Sequence, residues 1–181
     1  RIRLALSTTY WPVLWPTPEV ATVTVWTGTS GLVLPIRPPR EIDKALQPYG
    51  DPETAPPLTK EILQEKNLHR NIIHDAATGE TVLHHLDDGG RYRLPNGLEC
   101  SVRTERWLRI HKDDPLSARL DVEWAWGFRQ GKWNVETRTR GTVTCDAENF
   151  NVDSSVEAED DGNEIFQRNW SETIVRQSNS E

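Results

Sequence analysis

A serine hydrolase carries its nucleophile on a sharp G-x-S-x-G turn between a strand and a helix, with a histidine base in reach. The nearest approach to that pattern here is Gly28-Thr29-Ser30-Gly31. It is one residue short and lies between two alternating apolar stretches, so it reads as a hairpin turn. Asp75 and His111 follow Ser30 in the chain order used by α/β-hydrolases, but nothing in their spacing singles them out. No catalytic residue is assigned within the chain.

The five histidines are His69, His74, His84, His85 and His111. On a regular strand, neighbours and residues five apart point to opposite faces. His69 with His74, and His84 with His85, therefore cannot chelate one ion. A cross-strand pair, His74 with His84, stays open as a candidate, and no metal ligand or cofactor is assigned. The acidic run from Glu157 through Asp160, Asp161 and Gly162 to Asn163 lacks the spacing of a calcium loop and reads as an Asp-Gly hairpin. The two cysteines, Cys100 and Cys145, make neither a zinc spacing nor a disulfide framework. Each lies in an alternating strand pattern and is expected as a reduced thiol, with a bridge open only if their strands are neighbours.

Eight tryptophans in 181 residues are a high share, and this residue type serves both cores and binding surfaces. Trp124, Trp126, Trp133 and Trp170 fall on the apolar faces of successive strands, where core or interdomain packing is expected. An aromatic platform for sugar rings, or a pocket for an apolar ligand, is the alternative. Trp11 and Trp15 sit in a Pro-rich loop and are expected to contact another part of a longer chain.

The elements that must position these side chains are strands. Residues 2–8 alternate and read as a strand, 20–27 read as a strand fairly apolar on both faces, 32–36 read as a further short strand, and prolines at 12, 16 and 18 make a rigid loop between the first two. Prolines at 35, 38, 39, 48, 52, 56 and 57 mark 35–57 as a semi-rigid connector, with room for a helical turn near 41–46. Residues 58–64 fit strand or helix equally. From there on the pattern is antiparallel strand and turn, with strands expected at 68–75, 81–87, 91–94, 98–110, 116–128, 133–145, 150–159 and 164–175. Leu120, Val122, Trp124 and Trp126 oppose Arg119, Asp121 and Glu123, which is the signature of a sheet covered on one side.

The expected fold is therefore all-β. Residues 1–34 form the last strands of a truncated jelly-roll sandwich, 35–57 the connector, and 58–181 a curled antiparallel meander, as half-barrel or sandwich layer. Because the chain opens inside an alternating stretch, it is expected to be the C-terminal part of a larger protein. The net charge of −7, with signs interspersed, argues against a nucleic-acid partner. No stretch has the ~18 apolar residues of a membrane span, and unpaired cysteines favour a cytoplasmic site.

The segment Ile2-Arg3-Leu4-Ala5-Leu6-Ser7-Thr8-Thr9-Tyr10-Trp11-Pro12, with Pro16-Thr17-Pro18 after it, resembles the closing jelly-roll strands of X-prolyl dipeptidyl-peptidase and cocaine-esterase-like α/β-hydrolases. Arg37-Pro38-Pro39-Arg40, Asp113-Asp114-Pro115-Leu116-Ser117-Ala118-Arg119 and Phe166, Arg168 and Trp170 resemble the extra C-terminal β-region of longer bacterial members. In that family the catalytic Ser, Asp and His lie in an upstream core, so the resemblance places no catalytic residue here. It implies an accessory β-domain that packs on a missing N-terminal catalytic domain acting on ester or Xaa-Pro bonds, or that dimerises through the edge at 2–7. The other reading is an independent β-module that binds a carbohydrate or a small apolar ligand. Trp11, Trp15, Trp124, Trp126, Trp133 and Trp170 are the candidate contacts under either reading.

Overall fold

The computed structural model describes residues 3–176 and divides them into two units. One takes in the described residues up to Ala21 and those from Thr59 onward, and the other is Thr22–Leu58.

The first unit is built on one open, antiparallel sheet of eight strands. They are β1 (Glu61–Gln64), β2 (Asn67–His74), β3 (Glu80–Arg93), β4 (Glu99–His111), β5 (Asp114–Gln130), β6 (Trp133–Cys145), β7 (Asn149–Asp160) and β8 (Asn163–Val175). β3 to β8 pair in chain order as a meander, while β1 and β2 both pair with the outer side of β3. The sheet does not close: β8 is one edge, and β1 with β2 is the other. The all-β expectation holds, and the ambiguous stretch at 58–64 resolves as β1.

Turn chemistry sets the register. Asp161 and Gly162 both have positive φ, 49° and 78°, the geometry of a tight two-residue hairpin between β7 and β8. Asp75 and Asp146 accept backbone N–H bonds from residues two and three positions on, which closes the turns before β3 and β7. These bonds favour the ionised carboxylates, so both groups lie below the ordinary Asp range.

One irregularity joins what the sequence presents as two strands. Residues 81–87 and 91–94 belong to the single strand β3, which carries one extra residue between Asp88 and Arg91 relative to β4. This bulge shifts the parity, so that Tyr92 faces the same side as Asp87. Tyr92 then lies in one cross-strand row with Ile62, Cys100 and Phe128.

The pairing register defines two faces. The apolar face carries Leu83, Leu108, Leu120, Val143 and Val152 in one row, Thr104, Trp124, Thr139 and Val156 in another, and Val102, Trp126, Thr137, Ala158 and Phe166 in a third. The other face carries a lattice of ion pairs. Glu123 meets Arg140 at 3.1 Å, Arg103 at 3.6 Å and Arg138 at 3.9 Å. Arg140 reaches Glu157 at 2.8 Å, Arg103 also pairs with Glu105, and Glu105 meets His84 at 2.8 Å.

On the same face Asp121 accepts from Arg119 (2.7 Å), from Arg109 and from the Thr142 hydroxyl (2.8 Å). The Arg119 bonds, then those of Thr142 and the charge of Arg109, hold the Asp121 carboxyl below the usual range, against the opposing effect of burial. A folded-state pKa below the unfolded value gives stability that is present above about pH 4 and is lost as pH falls through the folded pKa. In thermal melts taken from about pH 7 down to about pH 3, the Asp121→Asn variant is therefore expected to lose less stability than the parent chain.

Residues 3–8, 20–27 and 32–36, expected as strands, form none, and Ile2 lies outside the described residues. Alternation makes a strand only where a second strand completes the ladder, and none of these segments has such a partner among the described residues. In the second unit, Trp26 O accepts the Ser30 N–H (3.0 Å) and hydroxyl (2.6 Å), which makes 26–30 a turn. The helical turn is α1, Glu41–Lys44, where Asp43 accepts from Arg37 (2.6 Å) and from the Arg40 N–H (2.8 Å).

Candidate functional site

The site forms where the Pro-rich loop at 9–20 seats on one end of the apolar face. Pro16 is fully buried. Trp15 meets Phe150 of β7 edge-on, with ring centroids 5.4 Å apart, and meets Trp11 edge-on at 4.8 Å. Arg176 clamps this packing: its guanidinium lies 4.7 Å over the Phe150 ring and donates to Pro16 O. Trp15 thus meets the sheet of this chain through Phe150, and Trp11 meets Trp15. Proline supplies the stiffness, since a loop with several fixed φ angles loses little entropy when it docks.

Beneath the first part of the loop lies a hollow of about 660 Å³. Thr9, Trp11 and Pro12 line it on the loop side, and Ile72, Leu83, Leu108 and Ile110 line it on the sheet side. Thr81 and Arg70 are the other lining residues. The volume falls within the roughly 300–1,000 Å³ typical of small-molecule sites, and the wall is mostly apolar with a few polar groups, as such sites are.

The remaining candidate tryptophans share the face but stand away from the loop. Trp124, Trp126 and Phe166 are half-exposed, from 45% to 50%, and Trp170 is 37% exposed. Trp126 stacks on Phe128 at 6.2 Å, and Arg168 lies 4.9 Å over Trp170. Trp133 is also half-exposed, at the start of β6. The six tryptophans therefore divide into a docked pair at the hollow and an open group on the rest of the face.

The other candidates do not assemble. Ser30 is bonded into its own turn, Asp75 is occupied by the Ala77 and Thr78 amides, and the His111 ring bonds Lys112 O at 2.7 Å. His74 and His84 fail as a chelating pair because register puts them on opposite faces. His74 is opposite Thr81 on the apolar face, where its Nδ1 is 3.0 Å from the Thr81 hydroxyl, and His84 is on the charged face with Glu105. Among the described residues no three His, Cys, Asp or Glu side chains are grouped to hold a metal. The acidic run is the β7–β8 hairpin, and its Glu157 pairs with Arg140. Cys100 and Cys145 are free thiols on β4 and β6, with β5 between them. Burial, then Cys100, pushes the Tyr92 hydroxyl above its ordinary pKa.

Sequence reasoning missed two arrangements. His84 stacks flat on Trp107 at 5.4 Å within the charged face. Arg70, His85 and Arg106 lie side by side on the apolar face. The second was signalled by alternation, since Arg70 shares parity with Leu68 and Ile72, and Arg106 with Thr104 and Leu108. No helix among the described residues is long and apolar enough to cross a membrane. Comparison with known protein families, curated proteins and solved structures finds nothing that matches the chain.

Proposed function

We propose that this chain is a non-catalytic β-module that binds a small apolar ligand in the hollow between the Trp11–Pro12 loop and the apolar face. The observation that carries the reading is the wall itself: four aliphatic side chains from three strands below, and an indole and a proline ring above. Burying an apolar molecule there removes area from water at roughly 25 cal/mol per Å². The strands hold the floor rigid, and the edge-on pair of Trp11 and Trp15 holds the roof.

The test is a titration with a neutral apolar dye such as Nile red, followed by its emission. Saturable binding to the parent chain is expected, weakened about ten-fold or more in Trp11→Ala, which removes an aromatic wall. Binding that is indifferent to Trp11 would overturn the site.

A second reading is favoured by the open group of Trp124, Trp126 and Phe166, exposed together at a distance from the hollow. Exposed aromatic side chains on one sheet face are the kind that docking surfaces use. The resemblance of residues 1–27 to the jelly-roll of dipeptidyl-peptidase and cocaine-esterase-like hydrolases supplies the occupant, a serine-hydrolase catalytic domain. The two readings are compatible, because they use different parts of one face. Labelling of Ser30, or of any other serine here, by a fluorophosphonate probe would overturn the non-catalytic assignment.

A further inference from the structure

We propose that the ligand of the hollow is an amphipathic anion, an alkyl-chain carboxylate, with its head group held by Arg70 and Arg106 and its chain along the Ile72–Leu83–Leu108 row. The inference rests on the ligand-binding reading above and adds the chemistry of the ligand.

Most arginines of the charged face have a carboxylate partner, Arg91 and Arg129 being exceptions among the described residues. On the charged face Arg103, Arg109, Arg119, Arg138 and Arg140 each pair with an Asp or Glu. On the apolar face Arg70 and Arg106 have no carboxylate partner among the described residues, and Arg168 is spent on Trp170. Arg70 is exposed and Arg106 half-buried, so both guanidinium groups are free to take an anion that lies on this face.

Their placement is a straight row. Arg70 of β2 lies opposite His85 of β3, and His85 lies opposite Arg106 of β4. Directly opposed Cβ atoms are about 4.5–5.5 Å apart, so two long guanidinium arms flank one imidazole within reach of a single head group. Arg70 and Arg106 flank His85 from either side, and an anion held between the two guanidinium groups is attracted by both. The next row along the strands is Ile72, Leu83 and Leu108, which floors the hollow that Arg70 also lines. Cations and aliphatic floor are therefore adjacent rows of one surface, spaced as the head and tail of one molecule.

A carboxylate fits better than a dianion. Its single charge costs less to take from water beside an apolar wall, and its two oxygens match the fork of a guanidinium. Asp87, in the adjoining row on the same face, is exposed and makes no ion pair with either arginine.

Calorimetric titration of the full chain with dodecanoate and with 1-dodecanol tests the head group at constant tail. Dodecanoate is expected to bind about ten-fold or more tighter, as charge-assisted bonds allow. Arg70→Gln and Arg106→Gln should each narrow the gap in affinity between acid and alcohol, while Arg70→Lys keeps part of it. Arg70 is exposed on an edge strand, so its variants carry the test even if Arg106→Gln fails to fold. Equal affinity for acid and alcohol would overturn this inference and leave the apolar-ligand reading intact. Absence of binding by both would overturn the two together.

Discussion

Replacing Trp15 with alanine is expected to lower the stability of the chain by about 2–3 kcal/mol and to abolish ligand binding in the hollow. Trp15 is the anchor on which the loop rests, edge-on to Phe150 at 5.4 Å and to Trp11 at 4.8 Å. Removing a buried Trp costs about 3–5 kcal/mol in a closed core, and the partial exposure of this one reduces the figure. The Arg176 clamp cannot compensate, because its targets are the same Phe150 ring and the Pro16 carbonyl. With Trp15 gone, Trp11 loses its ring partner and the hollow loses its roof. The urea midpoint should fall by about 1 M for an m-value of about 2 kcal/mol per M. Trp15→Phe separates packing from polarity. The Trp15 indole N–H is buried with no partner among the described residues, so phenylalanine removes an unsatisfied donor while keeping the edge-on contact. It should cost much less than alanine and retain binding. If alanine left the midpoint unchanged, the loop would be an ornament of the sheet and not part of its core.

The meander was readable because its strands alternate over many residues and its turns carry Asp, Asn and Gly at positions that need them. The observed β6, Trp133–Cys145, coincides with the stretch whose alternation runs from Trp133 to Cys145. The split of β3 was misread because Gly89 and Gly90 look like a turn in isolation. Only the unbroken partner β4 makes them a bulge. Residues 3–8 failed for the complementary reason: their alternation is real, but pairing is a property of two segments, and one was read alone. The site divides along the same line. That Trp124, Trp126 and Trp170 share a face follows from period two once the register is known. That Trp15 docks on Phe150 does not, because residues 15 and 150 are brought together by tertiary packing alone. The Arg70–His85–Arg106 row needed three strands to be aligned to the residue, which no single-strand pattern supplies.

Gly90→Ala is expected to detach β1 from the sheet. Gly90 has φ of +71° and lies in the bulge, where its N–H donates to the Asp88 carboxylate at 2.9 Å. A left-handed backbone costs a non-glycine residue about 1–2 kcal/mol by itself. The larger effect is steric. A Cβ at this position would stand 2.2 Å from Gln64 O and 2.9 Å from the Glu65 carbonyl, and both are backbone atoms that cannot swing aside. Those atoms belong to the link by which the chain passes from β1 to β2 along the outer side of β3. Relief requires the link to move outward, and Glu61, Ile62 and Gln64 then lose their partners Arg93, Tyr92 and Arg91. The combined cost should be about 3 kcal/mol, at the upper end for one methyl group, because strain and clash add. Amide hydrogen exchange locates the damage: protection should fall at 61–64 and 91–93 and persist in β5 to β8, whose ladder does not touch the bulge. Gly97→Ala is the control. Gly97 has φ of +84° but open space around it, so it should show the conformational cost without the clash. If the two substitutions proved equal in effect, the close approach of the β1–β2 link would not be what fixes glycine at position 90. The bulge would then matter only for the parity that turns Tyr92 onto the apolar face.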